Sequence, residues 1–154
     1  IGTAVNVENV TGSVHSDSLI GDGGNNVFAY TGGVDTYNGA GGVDGVDYSG
    51  FASAVWVDLN ASGWTRDTTN TNTGTWRQIT NLSNVEDLTG TAHDDYLRGN
   101  ASNNTITGGA GDDELHGGDE SCSGTACNAL GVLAGSQSFL GILQSKLTIY
   151  AHWS

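Results

Sequence analysis

Bulky apolar residues recur at every ninth position in two separate stretches of the chain, residues 12–47 and 90–116. Each nine-residue block has Asp or Asn at its sixth position and the apolar residue at its eighth, with one or more glycines among its first four positions. The first six residues of a block are predicted to form a turn, and the last three a short strand whose central side chain points into the core. These central residues are Leu19, Phe28, Tyr37, Val46, Leu97, Ile106 and Leu115.

The two arrays of blocks share the same introduction. The phrase VENVTG at residues 7–12 returns as VEDLTG at residues 85–90, which indicates an internal duplication. Before the first array, residues 1–11 are predicted to form an initial strand. The chain is therefore expected to divide into four parts: the initial strand with the first array (1–50), an inter-array segment (51–89), the second array (90–120) and an atypical tail (121–154).

The inter-array segment departs from the nine-residue pattern. Residues 54–59 alternate between apolar and other side chains, which predicts a half-buried strand. Residues 60–74 are polar and rich in Thr and Asn, as is typical of an exposed loop. From Trp76 to Leu88 apolar residues return at three-residue steps, which we interpret as short rungs that continue the core.

The tail is a different kind of sequence, without an acidic residue after Glu120 and with several apolar clusters. It is expected to be a cap over the end of the repeats, a secretion-related terminus, or sequence foreign to the repeats. Cys122 and Cys127 are close enough in sequence to form a small disulfide loop, and the alternative is a pair of free thiols.

The acidic composition changes the interpretation of the turns. The chain has 17 acidic residues against four Lys plus Arg, and all the acidic residues lie between Glu8 and Glu120. Their mutual repulsion opposes compaction, and many of them stand at fixed positions of the repeat. The 25 glycines alone would also suit a disordered linker, but a linker has no reason to keep a nine-residue register. The sequence therefore indicates that cations are part of the fold.

The same charge argues against two classes of partner. A formal net charge of −13 repels nucleic acid and anionic membrane surfaces. No stretch of the sequence approaches the length of an apolar membrane span.

The blocks fit the template G-G-x-G-x-D-x-U-x, with U a bulky apolar residue, and resemble the RTX (repeats-in-toxin, haemolysin-type) calcium-binding nonapeptide family. The resemblance implies an all-β fold, a right-handed parallel β-roll or β-helix solenoid, in which two nonapeptides make one 18-residue coil. It also implies calcium ions between glycine-rich turns stacked one coil apart. The ligands would be the sixth-position residues of both turns and carbonyl groups of the glycine-rich stretch.

Carried over by this spacing, the implied ligand pairs are Asp17 with Asp35, Asn26 with Asp44, and Asp95 with Asp113. The pair containing Asn26 has only one carboxylate and is expected to bind more weakly. Asn104 would pair with Cys122, where the pattern fails, so its turn is expected to be closed by hydrogen bonds. The glycines expected to contribute to the metal sites are Gly12, Gly21, Gly32, Gly33, Gly39, Gly41, Gly42, Gly90, Gly108, Gly109 and Gly111.

Other chemistry finds little support in the sequence. No zinc-protease signature and no G-x-S-x-G elbow with a plausible base is found, so the chain is not expected to be an enzyme. Trp56, Trp64 and Trp76 gather in the inter-array segment. They are expected either to shield the side of the fold where the repeat lapses or to stack on sugar rings.

The chain is expected to be a fragment of a larger protein, since neither an initial Met nor a signal peptide is visible. The resemblance implies that its function is that of a calcium-binding module of a secreted bacterial protein. The resemblance implies type I export, with the secretion machinery as a partner of the parent protein and folding on extracellular calcium. Two alternatives stay open: a carbohydrate-binding accessory module of a secreted polysaccharide-active enzyme, and the C-terminal part of a serralysin-like protease.

Overall fold

The computed structural model describes residues 7–60, 62–66, 76–117, 129–133, 138–139 and 150–151, with 62–66 and the three segments after residue 117 described as backbone. Every regular element in these residues is a β-strand, and no helix there could span a membrane. The strands are β1 (Asn9–Thr11), β2 (Ser18–Ile20), β3 (Val27–Ala29), β4 (Asp35–Asn38), β5 (Gly45–Asp47), β6 (Val55–Asp58), β7 (Ser62–Arg66), β8 (Trp76–Ser83), β9 (Asp87–Thr89), β10 (Tyr96–Arg98), β11 (Asn104–Thr107), β12 (Glu114–His116), β13 (Ala129–Leu133), β14 (Ser138–Phe139) and β15 (Tyr150–Ala151).

The strands form two sheets, and the chain passes from one to the other at each block of the arrays. The first sheet has the order β1-β3-β5-β9-β11-β13-β15, and all its strand pairs are parallel. The second has the order β14-β12-β10-β6-β7-β8-β4-β2 and is parallel except where β7 pairs with β6 and β8. The prediction of an all-β, parallel architecture is confirmed, and it is consistent with the β-roll that the resemblance implies.

Within each array, neighbouring strands of one sheet are related by 18 residues. Val10 lies opposite Phe28, Phe28 opposite Val46, and Leu97 opposite Leu115. This register places the eighth-position side chains of successive blocks in line along the inner face of each sheet. A cluster of such residues forms the core: Phe28, Tyr37, Val46, Leu97, Ile106 and Leu115 are buried, and Leu19 packs against them from a partly buried position.

The two arrays belong to the same two sheets. In the first sheet β5 of the first array pairs directly with β9, which pairs in turn with β11 of the second array. In the second sheet three strands, β6, β7 and β8, separate β4 from β10. The inter-array segment therefore contributes one strand, β9, to the first sheet and three strands, β6, β7 and β8, to the second.

The strand predicted over residues 54–59 is present as β6, and its inner residues Val55 and Val57 are buried. Its outer face is also covered, since Asp58 forms an ion pair with Arg98 at 3.3 Å. This contact follows from the parallel register, in which the two residues lie opposite each other on β6 and β10.

One interpretation of the inter-array segment is wrong, because residues 62–66, expected to belong to an exposed loop, form β7. A second holds in part: residues 76–88 continue the core as expected, but residues 76–83 form the single long strand β8, and only β9 is a short rung. Strands β7 and β8 are both stabilised by antiparallel backbone pairing. The spacing and polarity of side chains in the sequence do not predict such pairing. The apolar residues expected at three-residue steps nevertheless reach the core: Ile79, Val85 and Leu88 are buried, and Leu82 packs against them from a partly buried position.

At the ends of the chain the structure covers only part of what the sequence predicted. The initial strand begins at Asn9, and residues 1–6 lie outside the described residues. Beyond the second array, β13 pairs in parallel with β11, with Asn104 opposite Ala129. Cys122 and Cys127, and with them the choice between a disulfide and free thiols, also lie outside the described part.

Candidate metal centres

The sixth-position residue of every block but the first is buried although it is polar or charged. Asp35, Asp44, Asp95 and Asp113 are 0–2% exposed, and Asp17 is half-buried. Asn26 and Asn104 occupy the same position of their blocks and are also buried. Each of these residues stands two positions before the inward apolar side chain of the following strand, so period-2 alternation turns both inward. The turn then wraps around the polar group.

Successive turns are joined by a hydrogen bond between their sixth-position residues. The backbone N–H of Asp17 donates to Oδ1 of Asp35 at 2.8 Å, and that of Asp95 donates to Oδ1 of Asp113 at 2.9 Å. The N–H of Asn26 donates to Oδ1 of Asp44 at 2.7 Å in the same way. The structure therefore brings together all three of the pairs that the 18-residue spacing predicted to be neighbours.

The second oxygen of several sixth-position residues closes its own turn. It accepts the backbone N–H of the residue four positions earlier: Ser13 donates to Asp17 at 2.6 Å, and Thr91 donates to Asp95 at 2.6 Å. The amide oxygen of Asn104 accepts from the N–H of Asn100 at 2.9 Å. The amide nitrogen of Asn104 donates to the carbonyl oxygen of Glu86 at 2.7 Å. Its turn is thus closed by hydrogen bonds, as the sequence indicated.

Asp35 has a different donor on its second oxygen. The hydroxyl group of Tyr37 donates to Oδ2 of Asp35 at 2.6 Å, and both side chains are fully buried. Burial, together with this hydrogen bond, raises the pKa of Tyr37. The Tyr37 ring stacks on Phe28 with centroids 5.2 Å apart, which fixes the position of the hydroxyl group. Asp35 therefore has a protein donor on each carboxylate oxygen.

Tyr37→Phe is expected to destabilise the folded state, because it leaves Oδ2 of Asp35 buried without a donor. The cost is about 1–3 kcal/mol for an unsatisfied buried acceptor, which corresponds to a shift of roughly fivefold or more in the folded-to-unfolded ratio. The measurement is the free energy of unfolding in denaturant. Tyr30→Phe is the matched control, since that hydroxyl donates to the neutral carbonyl oxygen of Gly33. Equal shifts for both variants would contradict a special role of the carboxylate.

Glycines allow the backbones of stacked turns to approach each other closely. Gly33 and Gly111 have φ angles of 93° and 115°, in the region that side chains disfavour. A Cβ atom on Gly33 would lie 2.5 Å from the carbonyl carbon of His15, and one on Gly111 would lie 2.6 Å from that of His93. The backbone carbonyl groups of His15 and His93 thus lie directly against the glycines of the next turn.

All but one of the other expected glycines fall into two groups. Gly32, Gly42 and Gly109 also have positive φ angles in the turns. First-position glycines lie against the sixth-position side chain of their own turn, where a Cβ atom would contact its oxygen: these are Gly12, Gly21, Gly39, Gly90 and Gly108. Gly41 lies opposite Gly23 with room for a Cβ atom.

The buried carboxylates carry a high electrostatic cost in the absence of a cation. Burial raises the pKa of Asp95 to about 7 and that of Asp113 to about 6, and it also raises the pKa of Asp44. A nearby divalent cation would favour the ionised form of each group.

The donor set suits a hard cation. Carboxylate and carbonyl oxygens are the ligands that calcium prefers. No three His, Cys, Asp or Glu side chains within the described residues gather into a metal-holding group, so backbone carbonyls would have to complete any such site. Oδ2 of Asp44 is buried and has no hydrogen-bond partner, which is the behaviour expected of a ligand atom. The residues present therefore fit a calcium ion.

The tryptophans lie on the second sheet. Trp56 stacks on Tyr96 with centroids 5.1 Å apart and planes 10° apart, and Trp76 meets Trp56 edge to face. The backbone of Trp64 pairs with Trp56, and its side chain lies outside the described part of the chain. Stacking on a sugar requires an open ring face, whereas Trp56 and Tyr96 cover each other. Trp76 is 37% exposed, so both roles of the tryptophans, shielding and sugar stacking, stay predictions.

Two acidic residues at the sixth position were missed by the sequence reasoning. Counting back two residues from the core position Leu88 gives Glu86, and counting back from Val10 gives Glu8. Glu86 accepts the backbone N–H of Asp44 at 2.9 Å, as Asp113 accepts that of Asp95. The sequence signal for these two residues was the repeated phrase VENVTG and VEDLTG. Each copy contains the end of a nine-residue block that lacks the glycines at its first positions.

These features define a class of protein: two parallel sheets joined by stacked turns that bury carboxylates between them. A family model for the RTX calcium-binding nonapeptide repeat, in four copies, matches residues 89–121. The resemblance to this family is thereby confirmed for the second array, and repeats of this family bind calcium. No curated protein matches the chain.

Proposed function

We propose that the chain is a calcium-binding RTX module of a larger secreted protein, with calcium ions between the stacked turns of a right-handed β-roll solenoid. The observation that supports this most directly is the pairing of buried sixth-position residues one coil apart. The protein ligands would be carbonyl oxygens of the glycine-rich turns and the sixth-position side chains of Asp17, Asp35, Asn26, Asp44, Asp95 and Asp113.

Calcium binding would supply part of the folding free energy. The core receives one large apolar side chain from each block, so its contribution is small for a chain of this length. Against it stand the formal charge of −13 and the cost of burying carboxylates. A ligand that binds only the folded state shifts the equilibrium toward folding. Affinity of roughly 10⁻⁴–10⁻³ M would suit an extracellular module.

This dependence would serve export. In a compartment with little calcium the module would stay unfolded and could pass through a type I secretion machinery as an extended chain. Extracellular calcium would then fold it. The bacterial parent protein, its export route and its extracellular location belong to the proposal, which rests on the repeat family and on the acidic turns.

The proposal predicts calcium-dependent folding. In millimolar calcium, far-UV circular dichroism is expected to show strand structure, and excess chelator is expected to convert it reversibly to the spectrum of an unfolded chain. Magnesium at the same concentration is the control, since it demands a smaller and more rigid octahedral site. A strand signal that persists without calcium would contradict obligatory coupling of calcium binding and folding.

A further inference from the structure

Asn38 and Gly39 form the single Asn-Gly pair in the sequence. In such a pair the backbone nitrogen of the glycine can attack the side-chain amide carbon of the asparagine, because glycine has no side chain to block the approach. A bond forms between the nitrogen of Gly39 and Cγ of Asn38, the bond from Cγ to Nδ2 breaks, and ammonia leaves with the proton of the glycine nitrogen. The product of this step is a five-membered succinimide ring.

Water then opens the ring in one of two ways. Attack at Cγ gives Asp at position 38. Attack at the main-chain carbonyl carbon gives an isoaspartyl linkage, in which the main chain runs through Cγ and contains an extra carbon atom. Either product carries a new carboxylate, so the amide has been converted irreversibly into an acid.

In the folded chain both reacting groups are held by other partners. The N–H of Gly39 donates to the carbonyl oxygen of Ser83 at 3.0 Å, and this proton must leave before the nitrogen can attack. Oδ1 of Asn38 accepts the N–H of Ala40 at 3.0 Å, which closes an Asx-turn. The same oxygen accepts the side-chain nitrogen of Asn84 at 2.9 Å. The side chain of Asn38 is therefore fixed from two directions.

The backbone at the pair is also fixed. Asn38 is the last residue of β4 and lies opposite Ser83 of β8. Ring closure requires the main chain at Asn38 to leave its extended conformation, so that the next nitrogen comes against Cγ. Gly39 is buried, and the space beside its Cα atom is bordered by the carbonyl oxygen of Asn84 and by Oδ2 of Asp44. The rotation would therefore break the pairing of β4 with β8 at this end.

We propose that Asn38 is a deamidation site that reacts in the unfolded chain and is protected by the fold. The reaction needs water as its only co-reactant. In the folded chain it requires a local opening that frees the N–H of Gly39, so its rate follows the population of the open state. The protection does not depend on what folds the chain. If calcium does so, a chain kept without calcium accumulates this change at one defined position.

The isoaspartyl product is expected to prevent correct refolding. Its extra main-chain carbon lies between the pairing of Asn38 with Ser83 and the turn in which Gly39 lies against Asn84 and Asp44. Both sets of contacts cannot be made with a longer chain between them, because a shift of register along β4 would move its inward side chains to the other face. The Asp product keeps an oxygen that can accept the N–H of Ala40, so it should disturb the turn less.

The test compares the rate of reaction at Asn38 in the folded and the unfolded chain, both incubated in water enriched in heavy oxygen. The oxygen that opens the ring comes from this water, so peptide mass spectrometry distinguishes reaction during incubation from reaction during later digestion. The folded sample is the one whose circular dichroism shows strand structure, and the unfolded sample contains guanidinium chloride. We expect reaction at least about tenfold slower in the folded sample, since a locally open minor state is populated to about 10% or less.

Other asparagines of the same chain serve as internal controls. Asn60, Asn84 and Asn100 precede Ala or Val, whose side chains hinder the attacking nitrogen, and they should react slowly in both samples. Equal rates at Asn38 in the folded and unfolded samples would overturn protection by the fold. A rate at Asn38 in the unfolded sample no higher than that of these controls would overturn the site itself.

Asn38→Ser is the matched variant for the effect on refolding. A serine hydroxyl can accept the N–H of Ala40 in a similar turn but cannot form the ring. After long incubation in denaturant, the unaltered chain should regain less strand signal in proportion to its isoaspartyl content, whereas the variant should regain the signal it had before. An equal loss in both chains would overturn the effect of the linkage on refolding. The rate comparison uses the unaltered chain, so it decides the site even if the variant folds poorly.

Discussion

Asp113→Ala is expected to raise the calcium concentration needed for folding by at least about tenfold, which corresponds to roughly 1.4 kcal/mol or more. The substitution removes one of the two carboxylates of the Asp95 and Asp113 pair. It also leaves the backbone N–H of Asp95 buried without its acceptor, at a cost of about 1–3 kcal/mol. Both effects act on the folded state, and the first is present only when calcium can bind. The measurement is the midpoint of a calcium titration followed by far-UV circular dichroism.

Two variants control for charge and for position. Asp112→Ala removes the same charge from the exposed neighbouring residue and should change the midpoint little. Asn104→Ala removes a sixth-position residue that is bonded to Asn100 and Glu86 but carries no charge, and it should have the smaller effect of the two sixth-position substitutions. If Asn104→Ala shifts the midpoint as far as Asp113→Ala does, the ligand role of the carboxylate is wrong.

The sequence was sufficient for the arrays because the nine-residue pattern is local and repetitive. The eighth position determines which residue enters the core, and the sixth follows it by alternation, so Leu97 and Asp95 could be assigned together. The pairing of Asp95 with Asp113 required only the family's 18-residue coil, which the strand register reproduces.

The inter-array segment could not be predicted in the same way. β7 pairs antiparallel with both β6 and β8, and the three strands share no common sequence pattern. The space between β4 and β10 that they fill exists only once the second sheet is assembled. β6 illustrates the difficulty. Val55 stands where a sixth-position Asp would be, yet its backbone N–H donates to Oδ1 of Asp95 and continues the stack of turns. This role depends on the backbone and leaves no signal in the side chain.

The sixth-position residues divide unequally between the two sheets. Before strands of the second sheet the arrays have Asp17, Asp35, Asp95 and Asp113, whereas the first sheet has both Asn and acidic residues in the order Glu8, Asn26, Asp44, Glu86 and Asn104. An Asn side chain can donate to a backbone carbonyl of the preceding turn in the stack. Asn26 donates to Val7 in this way, and Asn104 donates to Glu86. An ionised Asp has no proton to donate and needs a cation or a protein donor. We therefore expect dependence on calcium to be concentrated in the turns that carry Asp.

Acid is expected to replace calcium in part, because a proton also neutralises a buried carboxylate. Burial raises the pKa of Asp95 to about 7 and that of Asp113 to about 6, against about 3.9 in an unfolded chain. Between about pH 4 and pH 7, the calcium-free folded state therefore binds more protons than the unfolded state does. Its stability should be greatest below about pH 4 and should fall as the pH rises through 4 to 7. The measurement is the strand signal in calcium-stripped buffer from pH 4 to pH 8.

Asp95→Asn separates this effect from the general reduction of charge at low pH, since Asn cannot titrate and the rest of the acidic surface is unchanged. The variant should show a weaker dependence on pH in calcium-free buffer between pH 4 and 7. Light scattering must accompany the measurement near the isoelectric point of about 4.1, where the chain carries little net charge. With calcium present the sign reverses, because protons compete with the ion for the same oxygens and acid should then weaken binding. If the strand signal in calcium-free buffer grows as the pH rises, burial of these carboxylates does not destabilise the folded state. Calcium would then not act by offsetting that burial.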